Sequence, residues 1–217
     1  MQPYRIRELL DPFLGPPDQR PDVQDLIPYI STYIDILRRW NTRINLTAIR
    51  GEEEIVARHF GESLFTARHL FPNRSAYSAP SAVKAFELAD VGSGAGFPGI
   101  PIKLWSPEIA LTLIEANHKK ATFLREVTRI LTLTDVNIQT TRAESIAAGS
   151  FEVVTLRAVE HFESILPVAA GLVAHGGRLV LLISQAQLSK AQSALPTLNW
   201  ATLPIPKSQS RVLAIGM

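Results

Sequence analysis

The chain of 217 residues contains no cysteine. That absence excludes a disulfide framework and a thiolate metal site, and no metal is expected. No apolar run is long enough to span a bilayer. The opening Met-Gln-Pro-Tyr-Arg-Ile-Arg-Glu lacks the apolar core of a signal peptide. The expectation is a cytoplasmic protein with no membrane partner. Internal repeats and low-complexity tracts are also missing. Neither sign of charge dominates, the net value being +2 with a pI near 9.0, so a nucleic-acid partner is allowed but not demanded. No lysine occurs before Lys84, and Arg38, Arg39, Arg43, Arg50 and Arg58 crowd one short region. A guanidinium can give a phosphate two hydrogen bonds at once. Glu52, Glu53 and Glu54 partly neutralise this cluster, and charge alone does not decide between a phosphate site and a solvated helix face.

The most informative segment is Phe86-Glu-Leu-Ala-Asp-Val-Gly-Ser-Gly-Ala-Gly-Phe-Pro-Gly99. An apolar run ends in Asp90, and Gly92, Gly94 and Gly96 follow at every second residue. Glycines at that spacing let backbone N–H groups approach a ligand where a Cβ would collide. A helix is expected from Pro98 to Trp105, its N-terminus aimed at the same place and suited to a carboxylate or phosphate. Residues 94–99 also satisfy the Gly-x-Gly-x-x-Gly expression of dinucleotide loops, a weak match on its own. The match starts too late after the strand, Pro98 sits where a free helical N–H is needed, and Asp90 would repel a diphosphate. A cofactor that bears an amino acid has an ammonium for Asp90 to hold, and S-adenosylmethionine is the expected ligand. Ala110 to Glu115 reads as a second buried strand ending in an acid, about 20 residues beyond the glycines, where this fold places a carboxylate for ribose hydroxyls. Glu115 is assigned that role by analogy of fold.

Residues 1–71 are expected to form a helical extension, with apolar positions from Val23 to Leu37 at helical spacing and further helices at 52–60 and 62–70. Residues 72–84, rich in proline and serine, read as a linker. From 85 to 217 strands alternate with helices. Strands are expected at 85–91, 110–115, 135–140, 151–156 and 178–183, helices at 98–105, 117–131 and 162–174, and a short helical turn at 143–148. Such alternation gives a mostly parallel sheet with right-handed crossovers. Residues 200–205 and 211–215 form a closing hairpin that places one antiparallel strand in the sheet. The α/β class with that hairpin is the seven-stranded Rossmann-like fold of class I methyltransferases.

Methyl transfer from a sulfonium mainly requires donor and acceptor held in line with water excluded. Attack at pyrimidine C5 normally uses a cysteine, and there is none. Exocyclic amines are usually held by an Asn/Asp-Pro-Pro-aromatic motif after the fourth strand, but Arg157-Ala-Val-Glu160 stands there. An atom with a free lone pair and no proton to lose, such as guanine N7, or an oxygen remains. In Thr141-Arg-Ala-Glu-Ser145, Ala143 and Glu144 could border an adenine, or could form the first turn of a short helix. Arg157, at the carboxyl end of a central strand, could hold the cofactor's carboxylate or orient guanine through O6. The competing reading is a surface salt bridge to Glu160 or Glu163. On the functional reading, Arg157→Lys costs activity and leaves thermal stability almost unchanged.

Arg39-Trp-Asn-Thr-Arg-Ile-Asn-Leu-Thr47, Arg58-His59, Asp90 to Pro101, Lys119-Lys120, Phe123-Leu124 and Arg157-Ala158 occur in this order. Over roughly residues 25 to 185 the chain resembles the glucose-inhibited division protein B family, the bacterial small-subunit ribosomal RNA methyltransferases that modify guanine N7. The resemblance implies cofactor contacts at Gly92, Phe97, Ala143, Glu144 and Arg157, with Glu115 at the ribose. It implies that Asn45, Arg58 and His59 face the RNA, and Arg38, Arg39 and Arg43 extend that side. The expected substrate is small-subunit (16S) ribosomal RNA or the 30S particle. The sequence departs from the family twice: Ile183-Ser184 replaces Lys-Gly, and His59-Phe-Gly-Glu-Ser63 replaces His-x-x-Asp-Ser. Two alternatives stay open: a methyltransferase acting on a small molecule or protein, and a non-catalytic RNA- or ribosome-binding member.

Overall fold

The computed structural model describes residues 1–17, 20–72 and 86–217. Apart from Pro72, the expected linker lies outside the described residues, as does position 85 of the first expected strand. Seven strands build one sheet: β1 (Glu87–Val91), β2 (Ala110–Ile114), β3 (Val136–Gln139), β4 (Phe151–Arg157), β5 (Val173–Ser184), β6 (Trp200–Pro204) and β7 (Arg211–Gly216). Their order is β3-β2-β1-β4-β5-β7-β6. All pairs are parallel except those of β7, which runs antiparallel to both β5 and β6. This is the class I methyltransferase architecture expected from the alternation and the closing hairpin. The strand order reverses between β1 and β4, and open α/β sheets bind ligands at such a point, outside the carboxyl ends of the strands.

The helices are α1 (Pro3–Leu14), α2 (Val23–Asn41), α3 (Glu52–Glu54), α4 (Glu62–Leu70), α5 (Gly99–Trp105), α6 (His118–Ile130), α7 (Phe162–Leu172) and α8 (Gln185–Ala194). Side chains alternate across each strand. Leu88, Leu111, Leu113, Val180 and Leu182 therefore enter one apolar cluster, and Ala89, Val154, Leu156, Leu179 and Leu181 enter another on the opposite face. The first cluster continues without a break into Ile6, Leu10, Ile34, Leu37, Phe60 and Leu64. The amino-terminal helices are thus a further layer on the sheet's first face, where α2 and α4 meet α6 and α5.

Three local features differ from the expectations. The two helices expected at 52–60 and 62–70 are joined by a π-helical turn, Ile55–Gly61, instead of ending at Gly61. Gly61 is there for close packing, because a Cβ would stand 2.7 Å from the Phe13 ring. Strand β5 begins at Val173, well before residue 178, so the preceding helix stops at Leu172. Helix α8 was not expected, its apolar spacing being weak. Its start was nonetheless written in Ser184-Gln-Ala-Gln187: the Ser184 hydroxyl accepts from Gln187 N at 3.3 Å while the Gln187 side chain accepts from Ser184 N at 3.1 Å, a capping box.

Candidate active site

At the carboxyl ends of β1, β2 and β4 lies a cavity of about 870 Å³. Gly92, Ser93, Gly94 and Ala95 form its floor, Glu115 and Ala143–Glu144 one side, Arg157–His161 another, and Leu46–Ile49 with Arg58 and His59 the rim. The glycines have different tasks, although all three take positive φ. A Cβ on Gly94 would meet only the Gly92 carbonyl, at 3.6 Å, and otherwise open space. A Cβ on Gly92 would press on Val159 at 2.8 Å. Gly96 does not line the cavity; a Cβ there would collide with the Tyr33 hydroxyl and with Ile100, 2.7 Å away. Its absence of side chain admits α2 to the loop and not a ligand.

Glu115 is buried at the end of β2 and already holds the loop. Its Oε2 accepts from Gly94 N and its Oε1 from Asn117 N, both at 2.8 Å. Each oxygen keeps a lone pair, so the carboxylate remains able to accept from a diol. Ala143 and Glu144 open a short 3₁₀ turn, Ala143–Ser145, with Ala143 buried and Glu144 exposed on the cavity side.

Asp90 is placed differently from the expectation. Its side chain is buried away from the cavity wall. Gly99 N donates to its Oδ2 at 3.2 Å and Thr155 Oγ1 to its Oδ1 at 2.8 Å. The carboxyl therefore takes the place at the start of α5 that was expected for a ligand. Burial pushes its pKa up to about 7, against the hydrogen bonds from Thr155 and Gly99 and the charge of Arg157.

Arg157 stands on the cavity wall at the end of β4, as expected, but neither Glu160 nor Glu163 is its partner. Glu163 pairs with Lys190. Arg157 Nη2 donates to Glu62 Oε2 at 3.1 Å and to Arg58 O at 2.8 Å. Arg211 Nη2 donates to the same Glu62 oxygen at 2.9 Å. Glu62 comes from the first turn of α4, just after the π-helical turn that presents Arg58 and His59. This buried carboxylate was missed by sequence reasoning, since its partners lie 95 and 149 residues away. The Nε atoms of both arginines are buried without a hydrogen-bond partner among the described residues.

His59 lines the cavity as expected for the RNA side, but its ring is buried. It stacks on Phe97 at 4.7 Å and 17° between planes, and Phe97 in turn stacks on Tyr33 at 5.2 Å and 8°. Burial, then the charges of Arg157, Arg58 and Arg211, hold its pKa down at about 3, so the imidazole is neutral. Of the other RNA-side residues, only Arg58 lines the cavity. Arg38 pairs with Glu52, Arg39 pairs with Glu126, and Arg43 and the exposed Asn45 stand off the wall. The expectation did not include Lys120, Arg142 and Arg211, which add positive charge to the cavity.

The family model described as rRNA small subunit methyltransferase G matches residues 26–211. The chain belongs to the rRNA small subunit methyltransferase G family. A relative of that name from Roseiflexus sp. (strain RS-1) is 42% identical over 162 residues, 72% of this chain and 64% of the relative, a little under two thirds of its length. One from Halorhodospira halophila (strain DSM 244 / SL1) is 37% identical over 188 residues, 85% of this chain and 84% of the relative. Among solved structures, the ribosomal protein L11 methylase of Lactobacillus delbrueckii subsp. bulgaricus superposes with a TM-score of 0.56 at 18% identity, covering 73% of this chain and 78% of that one. M. jannaschii TYW2 in complex with AdoMet gives 0.51 at 14% identity, covering 61% and 68%. Those two likenesses show the fold. Membership of the rRNA small subunit methyltransferase G family agrees with the resemblance carried by the Asn-Leu-Thr and Gly-Phe-Pro-Gly-Ile-Pro runs. Two further facts bear on the site. Among the described residues no group of three or more His, Asp or Glu could hold a metal ion, and no helix is long and apolar enough to cross a membrane.

Proposed function

We propose that this protein transfers the methyl group of S-adenosylmethionine to N7 of a guanine in small-subunit ribosomal RNA, acting in the cytoplasm on the RNA or on the 30S particle. The observation that carries the reading is the composition of the cavity. One half is a glycine floor beside a strand-end carboxylate; the other is a cationic wall of Arg58 from the helical layer, Arg157 from β4 and Arg211 from β7. The residues fit the cofactor. At Gly94 a side chain would enter the cavity, so bare backbone there leaves room for the amino-acid end. Glu115 would accept from the ribose hydroxyls, and Ala143 and Glu144 would border the adenine. Bound there, the cofactor supplies an electrophilic methyl.

Guanine N7 carries a lone pair and no proton, so no general base is required. A neutral His59, with its ring nitrogens occupied by Arg157 and Thr47, agrees with a wall that positions and does not exchange protons. Arg58, Lys120, Arg142 and Arg211 would meet RNA phosphates. Incubation with methyl-labelled cofactor and small-subunit RNA or particles, followed by nucleoside digestion, is expected to give 7-methylguanosine. Label in another nucleoside, in protein or nowhere would overturn the reading. RNA affinity is expected to fall steeply with salt, since phosphate contacts release counterions.

A further inference from the structure

The geometry points to Thr47 as a residue that selects guanine: its hydroxyl is a compulsory hydrogen-bond donor, set to meet O6 of the target base beside N7. The inference rests on the reading of the site as a guanine-N7 methyltransferase and names a contact within it.

The protons on these side chains fix the direction of each hydrogen bond. Arginine can only donate. Arg157 Nη1 lies 2.9 Å from His59 Nδ1, which must therefore accept. A neutral imidazole carries one N–H, so the proton is on Nε2. Nε2 lies 2.8 Å from Thr47 Oγ1, and donates to it. Ile49 N also donates to Thr47 Oγ1, at 3.1 Å. Both lone pairs of the hydroxyl are thereby filled. Its own proton has no acceptor among the described residues, and Thr47 lines the cavity. A ligand group placed there must accept.

The position is also held firmly. Asn41 at the end of α2 clasps the loop: its Oδ1 accepts from Leu46 N at 2.9 Å and Thr47 N at 3.1 Å, and its Nδ2 donates to Thr47 O at 2.9 Å. The Trp-Asn and Asn-Leu-Thr elements thus act together to aim one hydroxyl. On the major-groove edge guanine offers O6 beside N7, where adenine offers an amino donor instead. A donor that cannot become an acceptor favours guanine and opposes adenine. Arg157, the residue first expected to reach O6, has Nη2 committed to Glu62 and Arg58 and an Nη1 proton to His59.

The test is a coupling measurement. The wild type first identifies the methylated guanine, and RNA is then made with 2-aminopurine riboside at that position, which keeps N7 and lacks O6. Single-turnover methylation by Thr47→Val is expected to be about ten- to a hundredfold slower than wild type on guanine. On 2-aminopurine, whose N7 is intrinsically less nucleophilic, both enzymes should slow, and the wild type should lose an additional factor similar to the one that separates the two enzymes on guanine. Thr47→Ser should recover most of what Thr47→Val loses, while affinity for S-adenosylhomocysteine stays within about twofold in both variants. Losses that multiply independently, or cofactor affinity that falls in parallel with the rate, would overturn the contact and leave the proposed function standing. Failure of the wild type to make 7-methylguanosine would overturn both.

Discussion

The Tyr33 hydroxyl donates to the carbonyl oxygen of Ala95 at 2.5 Å. This bond links the middle of α2 to the glycine loop across 62 residues. It is buried, and desolvation, with the nearby charge of Asp90, raises the Tyr33 pKa well above 10, which keeps the donor protonated. The loop that would face the cofactor is therefore shaped from the helical layer as well as from β1.

Gly94→Val is expected to abolish binding of S-adenosylhomocysteine in a folded protein. The new side chain would point into the cavity, and a φ of +54° is strained for a β-branched residue. Calorimetric titration with a melting curve checks this. Unchanged affinity would remove Gly94 from the site.

Glu115→Gln replaces one of two acceptors with a donor. In the native loop both oxygens receive backbone N–H groups, so an amide would face Gly94 N or Asn117 N with the wrong polarity. Cofactor affinity is expected to fall roughly ten- to a hundredfold, with a loss of about 1–3 kcal/mol in stability. A 2′-deoxy cofactor analogue should bind wild type poorly and the variant no worse. If the wild type does not discriminate against the analogue, Glu115 is not at the ribose.

Arg157→Lys is expected to lower both methylation and thermal stability. Sequence reasoning had the guanidinium held for ligand, with stability almost unaffected. The observed partners, Glu62, Arg58 O and His59, require a planar fork that a lysine cannot reproduce. Breaking a buried pair costs about 3–5 kcal/mol when one charge is left alone; lysine keeps the charge, so the loss should be smaller. Urea denaturation measures it. A variant as stable as wild type would show that the Glu62 pairing does not hold the wall together.

Asp90→Asn tests the buried carboxyl. The unfolded side chain ionises near 3.8 and the folded one near 7. The folded state thus keeps a proton that the unfolded state has lost. Asp90's contribution to stability is whole below about pH 3.8 and is lost as the pH rises to about 7. His59 acts in the opposite sense: with its pKa near 3 against 6.5, it favours the fold above pH 6.5 and loses that effect as the pH falls. In Asp90→Asn only the first dependence disappears. The stability difference between variant and wild type should therefore shift in the variant's favour between pH 4 and 7. A constant difference across that range would place the Asp90 pKa near its ordinary value.

The sheet was readable because βα alternation and an acid-ended apolar run are local patterns. The positions of Glu115 and Arg157 followed from the carboxyl ends of β2 and β4, which stand beside the switch point. What escaped notice was set by distant partners. Nothing around Glu62 announces that it will lie between arginines from β4 and β7, and nothing around Asp90 announces that the turn after it returns Gly99 N to its carboxylate. Helix α8 escaped for another reason: its capping box was visible, but its weak apolar periodicity was not. Gly96 was read as a ligand-facing glycine because loop spacing alone does not distinguish a cofactor from a tyrosine.

The π-helical turn at Ile55–Gly61 makes chain length itself a requirement. It closes hydrogen bonds five residues back instead of four. Deleting one residue here would let the segment close as an α-helix, leaving the turns on either side nearly in phase but changing the angle at which Arg58 and His59, inside the wide turn, stand to Glu62 just after it. The residues of the wide turn would then leave their contacts with Arg157, although every side chain at the site was still encoded. An insertion or deletion in these few positions is thus a different kind of lesion from a substitution: it changes the angular phase between the cavity rim and the anion behind it.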